Sequence, residues 1–119
     1  MTKKPRFDLA RIQAARILAS QSCVTKANHF LMMSDREARD YIEALVRSLL
    51  PADFVEPVVI RPKSGRAMHA DVYGKQDVIG LWYVKLSYMA GQAIAEVLSC
   101  HEAEHDLIRA DGKVLRRKR

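Results

Sequence analysis

The chain has 119 residues, 49% hydrophobic and 29% charged, with a formal net charge of +6 and a pI near 9.6. That length and composition suit one soluble globular domain with its own core. They exclude a low-complexity chain, and two cysteines, Cys23 and Cys100, exclude a disulfide framework and suit a reducing compartment. No stretch can span a bilayer, and Met1 to Arg6 is not followed by the apolar run of a signal peptide, so a cytoplasmic location is expected. The basic excess gathers at both ends and in the loop Arg61-Pro62-Lys63-Ser64-Gly65-Arg66. It suits a polyanion such as RNA or DNA, although a solvated surface carries the same charge.

In chain order, residues 1–5 read as a flexible basic end and Phe7 as the anchor that begins the fold. Asp8 has the chemistry of an N-cap for a helix over residues 9–19, on which Leu9, Ile12, Ile17 and Leu18 form an apolar stripe. Ser20-Gln21-Ser22-Cys23 breaks it, and Thr25 caps a second helix over 26–33. Ser34 and Glu37 form a capping box ahead of a third helix, where Ala38, Tyr41, Ile42, Leu45, Val46 and Leu49 recur at helical spacing. Pro51 ends it, since the residue before a proline is pushed out of the helical region. The stripe is a core face.

After Pro51, strand-like runs follow at 55–60, 68–73, 79–89 and about 93–100, separated by turn chemistry at Pro62 and Gly65, at Gly74 with Gln76-Asp77, and at Ala90-Gly91. Short connections favour an antiparallel meander. The expected fold is α+β, one domain with the N-terminal helices on one face of a small antiparallel sheet. The run after Gly91 also reads as a helix, because Ile94, Val97, Leu98, His101, His105 and Ile108 share a helical face. Asp111-Gly112 is a turn signal, and residues 114–119 read as a flexible basic tail.

The strand over 80–89 carries the chemistry. Trp82, Val84, Leu86 and Tyr88 fall on one face, while Tyr83, Lys85 and Ser87 fall on the other. With His69 from the preceding strand and His101 from the following one, the polar row holds what RNA cleavage without a metal requires. Histidine suits both proton transfers near neutral pH, lysine and arginine stabilise the phosphate, and Tyr83 can donate to it or stack on a base. The candidate catalytic set is Tyr83, His101, His69 and Lys85; Arg61, Lys63, Arg66 and Ser87 are the candidate RNA contacts. Such a strand face is also ordinary solvated surface. His101-Glu102-Ala103-Glu104-His105 matches H-E-x-x-H, a zinc motif when a helix aligns both histidines. No third ligand is evident, and no cofactor is expected. No glycine-rich nucleotide loop and no helix-turn-helix with a basic second helix stands out.

Several segments, taken in order, resemble the MqsR family of bacterial toxins, small ribonucleases with a RelE-like fold. They are Lys4-Pro5-Arg6-Phe7-Asp8-Leu9, Val24-Thr25-Lys26, Leu49-Leu50-Pro51-Ala52-Asp53-Phe54, Asp71-Val72-Tyr73, Tyr83-Val84-Lys85 and Ser99-Cys100-His101-Glu102. The resemblance implies a metal-independent endoribonuclease acting on mRNA, held inactive by a cognate antitoxin that itself binds zinc and DNA. Here Glu56 and Pro57 stand where the family has a lysine, Ala70 where it has a glutamine, and His101 where it has a lysine; Tyr83 matches in kind. His101, with His69 or Lys85, is expected to take over proton transfer and phosphate stabilisation. A catalytically weakened RNA- or antitoxin-binding module of the same fold, a zinc hydrolase and a DNA-binding regulator are the competing readings.

Overall fold

The computed structural model describes residues 3–63 and 65–117. Its elements run α1 (Leu9–Ala14), β1 (Arg16–Ala19), α2 (Gln21–Leu31), α3 (Asp35–Ser48), β2 (Phe54–Ile60), β3 (Met68–Gln76), β4 (Leu81–Met89), β5 (Ile94–Glu102), β6 (Leu107–Ile108) and β7 (Val114–Leu115). The fold is α+β, with helices packed on a five-stranded sheet in the order β1-β5-β4-β3-β2 and a two-stranded ribbon of β6 and β7. Strands β2 to β5 form the expected antiparallel meander. The sheet is nevertheless mixed, because β1 pairs with β5 in parallel, Arg16 opposite Ile94 through Ala19 opposite Val97.

That parallel strand corrects the first expected helix. Asp8 does cap it, accepting from the Ala10 amide at 3.0 Å, but the helix stops at Ala14. A helix of six residues has little stability of its own, so tertiary contacts decide where it ends. Residues 16–19 instead cover the edge of β5, and the Arg16 and Ser20 amides donate to the Ala93 and Val97 carbonyls at 3.2 and 3.3 Å. Ile17 and Ala19 then pack against the core. Ser20 is not a breaker but the N-cap of α2, accepting from the Cys23 amide at 3.2 Å, so that helix begins well before Thr25.

The capping box is present, with Ser34 accepting from the Glu37 amide and Glu37 from the Ser34 amide, both at 3.2 Å. Behind it Ala38, Ile42, Leu45 and Val46 are buried, and the helix closes before Pro51 as expected. Its stripe meets Trp82, Val84 and Leu86 of β4, Tyr73 of β3 and Val97 of β5 in one core. Trp82 also leans on α3 through Tyr41, ring centroids 5.5 Å apart. Asp77, in the β3–β4 turn, ties these elements together. Its carboxylate accepts from the Tyr41 hydroxyl, from Trp82 Nε1 at 3.1 Å, and from the Ile79 and Gly80 amides at 2.8 and 3.0 Å. Phe7 is the anchor it was expected to be. It meets Tyr88 edge to face at 6.4 Å, and the Arg6 and Phe7 amides donate to the fully buried Asp71 carboxylate at 2.8 and 2.9 Å.

The other sheet face is only partly open. Val55, Val72, Leu81, Ala103, Leu107 and Leu115 form a second, smaller core there. Val114 and Leu115, expected in a flexible tail, pair with Ile108 and Leu107. Asp111 shapes the turn between them by accepting from the Lys113 amide at 3.0 Å, and the Ala110 amide fastens it to the Phe54 carbonyl at 2.8 Å. Burying Leu107 and Leu115 contributes roughly 1.5–3 kcal/mol each, enough to order a ribbon of two-residue strands. Residues 1–2 and 118–119 of the expected flexible ends lie outside the described residues. Among the described residues, no helix is long and apolar enough to cross a membrane.

Candidate functional site

Tyr83 of β4 lies directly opposite His101 of β5. Opposed residues on antiparallel strands point to the same face, so their rings meet. The centroids are 5.2 Å apart and the planes 18° from parallel, a stack. Lys85, two residues along β4, shares that face, with Nζ 5.9 Å from the centre of the Tyr83 ring. Tyr83, Lys85 and His101 line one cavity of about 280 Å³, together with Ser99, Glu104, His105 and Leu107. The expected trio of β4 and β5 residues is therefore brought together.

The run after Gly91 is a strand as far as Glu102, not a helix, and His105 follows it in a loop. The helical face on which H-E-x-x-H chemistry depends does not form. His101 and His105 instead reach one cavity from a strand end and the loop beyond it. The sequence marks His105 only through the zinc spacing and a helical face, and nothing in the pattern shows that a bend after Glu102 returns it to the row of Tyr83 and Lys85.

Both histidines are held in the same way. His101 Nδ1 lies 2.8 Å from the Glu102 carbonyl oxygen, and His105 Nδ1 lies 2.9 Å from that of Asp106. A carbonyl only accepts, so Nδ1 carries a hydrogen in each ring, and Nε2 is the nitrogen that accepts or releases a proton. Two imidazoles lining one small cavity can divide the base and acid roles of a phosphoryl transfer. Burial first, and then the Glu56 carboxylate, raise the Tyr83 phenol above its ordinary value. Tyr83 is therefore a protonated O–H donor at neutral pH, suited to a phosphate oxygen rather than to the role of base.

Other expected site residues lie elsewhere. On β3, Asp71 pairs with Leu86 on the helix-covered side and Val72 with Lys85 on the cavity side. His69 shares the parity of Asp71, so it faces away from Tyr83; the assumption that neighbouring strands would align all their histidines fails by one residue of register. Ser87 keeps the right parity but is buried, and its hydroxyl donates to the His69 carbonyl at 2.9 Å. Its hydrogen-bonding capacity serves the sheet, so it is no RNA contact. Arg61, Lys63 and Arg66 are exposed beyond the Ile60–Met68 end of the β2–β3 hairpin. Tyr83 pairs with Gly74, six residues further along β3, so the loop stands about 20 Å away at the strand rise. It can meet only a distant part of a long polyanion.

The cysteines do not join the site. Burial first pushes the Cys100 thiol up to about 12, and Cys23 is buried with its sulfur 3.4 Å from the Val97 carbonyl. Both behave as small apolar core residues rather than nucleophiles. No family model matches the chain, and no curated protein matches it.

Proposed function

We propose that the protein is a metal-independent endoribonuclease with a RelE-like arrangement, the toxin half of a toxin–antitoxin pair acting on mRNA in the cytoplasm. The observation that carries this reading is the Tyr83–His101 stack beside Lys85 and His105 in one cavity. In the reaction, one imidazole Nε2 takes the proton of a ribose 2′-hydroxyl. The 2′-oxygen bonds to phosphorus, the bond to the 5′-oxygen breaks, and the other imidazole supplies the proton to that leaving oxygen. The products are a 2′,3′-cyclic phosphate and a 5′-hydroxyl end. Lys85 and the Tyr83 phenol stabilise the charge on the crowded phosphate. The net charge of +6 favours the encounter.

Replacing a general acid or base typically costs 10²–10⁴-fold. His101→Ala and His105→Ala are each expected to slow RNA decay by about a hundredfold or more. His69→Ala is expected to leave it unchanged, because His69 faces the other side of the sheet. Cleavage by His101→Ala at the wild-type rate would falsify the mechanism. For the toxin role, expression should arrest growth, and co-expression of the neighbouring gene's product should relieve it.

The same fold as an RNA- or antitoxin-binding module is the second reading. It is favoured by the Glu56 carboxylate acting on Tyr83, since an anion there repels phosphate, and by the withdrawal of Ser87. Growth arrest with intact RNA would select it.

A further inference from the structure

β1 covers β5 only as far as Val97, so among the described residues the end of β5 has β4 on one side and no strand on the other. The cavity at Tyr83 lies at that end. A second cavity of about 510 Å³ opens between β5 and α2, and His101 and Glu104 line both. Two aromatic rings line it. Phe30 meets Trp82 edge to face at 5.5 Å and 88°, and Trp82 is 1% exposed while Phe30 is 44% exposed. A phenylalanine so exposed at the mouth of a cavity is uncovered stacking surface. The lining has both charges, with Lys26 and His29 on α2, Glu102 at the end of β5 and Glu104 in the bend after it.

We propose that this second cavity is a nucleobase subsite for single-stranded RNA. It takes the base of the nucleotide next to the one whose phosphate lies at His101 and His105. The inference rests on the ribonuclease reading for the direction of the strand, and adds where and how a base is held. The base stacks on Phe30, a contact every base can make. Lys26 and His29 lie toward the phosphate. The Glu104 carboxylate accepts a hydrogen bond from an exocyclic amine, as acidic side chains do from cytosine, while Glu102 is ion-paired with Arg117 at 3.6 Å. Uracil has no such amine and is held less well. A duplex does not fit, because its bases are stacked inside and cannot reach Phe30.

Trp82 is the only tryptophan of the chain and contacts Phe30, so its fluorescence reports occupancy without any cleavage. The full chain is titrated with CMP, GMP, UMP and ribose 5-phosphate. Saturable quenching is expected with CMP and GMP, about tenfold weaker binding with UMP, and no comparable response to ribose 5-phosphate. Phe30→Leu should weaken CMP binding by about tenfold or more, and Phe30→Tyr, which keeps the ring, should restore it. Glu104→Gln should narrow the gap between CMP and UMP. Equal quenching by ribose 5-phosphate, or unchanged CMP binding in Phe30→Leu, overturns the subsite. RNA cleavage in the same preparations separates the two readings. Base-dependent binding through Phe30 with intact RNA keeps the subsite and removes the ribonuclease. Cleavage without base-dependent quenching does the reverse.

Discussion

Gly74 offers the sharpest test of how the site is walled. It lies two residues from the end of β3, opposite Tyr83, and the β6–β7 ribbon presses on it. A Cβ there would stand 2.9 Å from Leu115 Cδ1 and 3.0 Å from Leu107 Cδ1. Both atoms are ends of flexible side chains, so the cost of Gly74→Ala falls in the lower part of the roughly 1–3 kcal/mol range for overpacking. Against it stands a gain of about 0.4–1 kcal/mol, because alanine restricts the unfolded chain and the native φ suits it. A net loss of about 1 kcal/mol remains, or about 4 °C in Tm for a chain of this size. Urea and thermal unfolding measure it. Leu115→Ala alone should cost about 2 kcal/mol, at the lower end for a buried leucine. The double variant should cost about the same as Leu115→Ala, since it removes the closer of the two contacts while that with Leu107 remains, giving a coupling of about 1 kcal/mol. Gly91→Ala, with nothing within 4 Å of its Cβ, is the matched control and should show only the gain of about 0.4–1 kcal/mol, with no loss. The ribbon also supplies Leu107 to the wall of the histidine cavity, so under the proposed ribonuclease function RNA decay should slow in Gly74→Ala and recover in the double variant. Wild-type stability in Gly74→Ala, or simple additivity with Leu115→Ala, would show that the ribbon does not rest on β3 as described.

Three further outcomes follow from buried and half-buried polar groups. Asp71→Ala leaves the Arg6 and Phe7 amides without their acceptor and should cost about 2 kcal/mol in urea unfolding, with faster exchange of the Phe7 amide; a loss under about 0.5 kcal/mol would contradict that docking. Burial pushes the Asp77 carboxyl up, but hydrogen bonds from Tyr41, the Gly80 and Ile79 amides and Trp82 outweigh it and hold the group below its ordinary value. The unfolded chain therefore binds a proton more readily, so this stabilisation is full above about pH 4 and is lost as pH falls through the lower folded value. Asp77→Asn should be less stable at neutral pH, and its deficit should shrink in acid; a deficit independent of pH would exclude the linkage. The Tyr73 hydroxyl is buried with no hydrogen-bond partner among the described residues, so Tyr73→Phe should raise stability by about 1 kcal/mol; a drop in Tm would show that the hydroxyl is satisfied after all.

What could be read from the residues was local. The Ser34–Glu37 box, the stripe from Ala38 to Val46 and the alternation from Trp82 to Tyr88 each repeat at the period of the element that they form, and each formed where expected. The pairing of Tyr83 and Lys85 on one face needed only the period of a strand. Long-range partners decided the rest. Residues 16–19 carry an amphipathic helical stripe, yet they became a strand because β5 offered an uncovered edge. His69 left the site through one residue of register, which no single strand encodes. His105 entered it through a bend after Glu102, and Leu115 became part of a second core because Leu107 and Gly74 received it. A chain states the period of each segment in its own residues, whereas register, edge pairing and the return of a loop are free-energy differences between segments far apart. Those differences are settled only when all the segments are packed together.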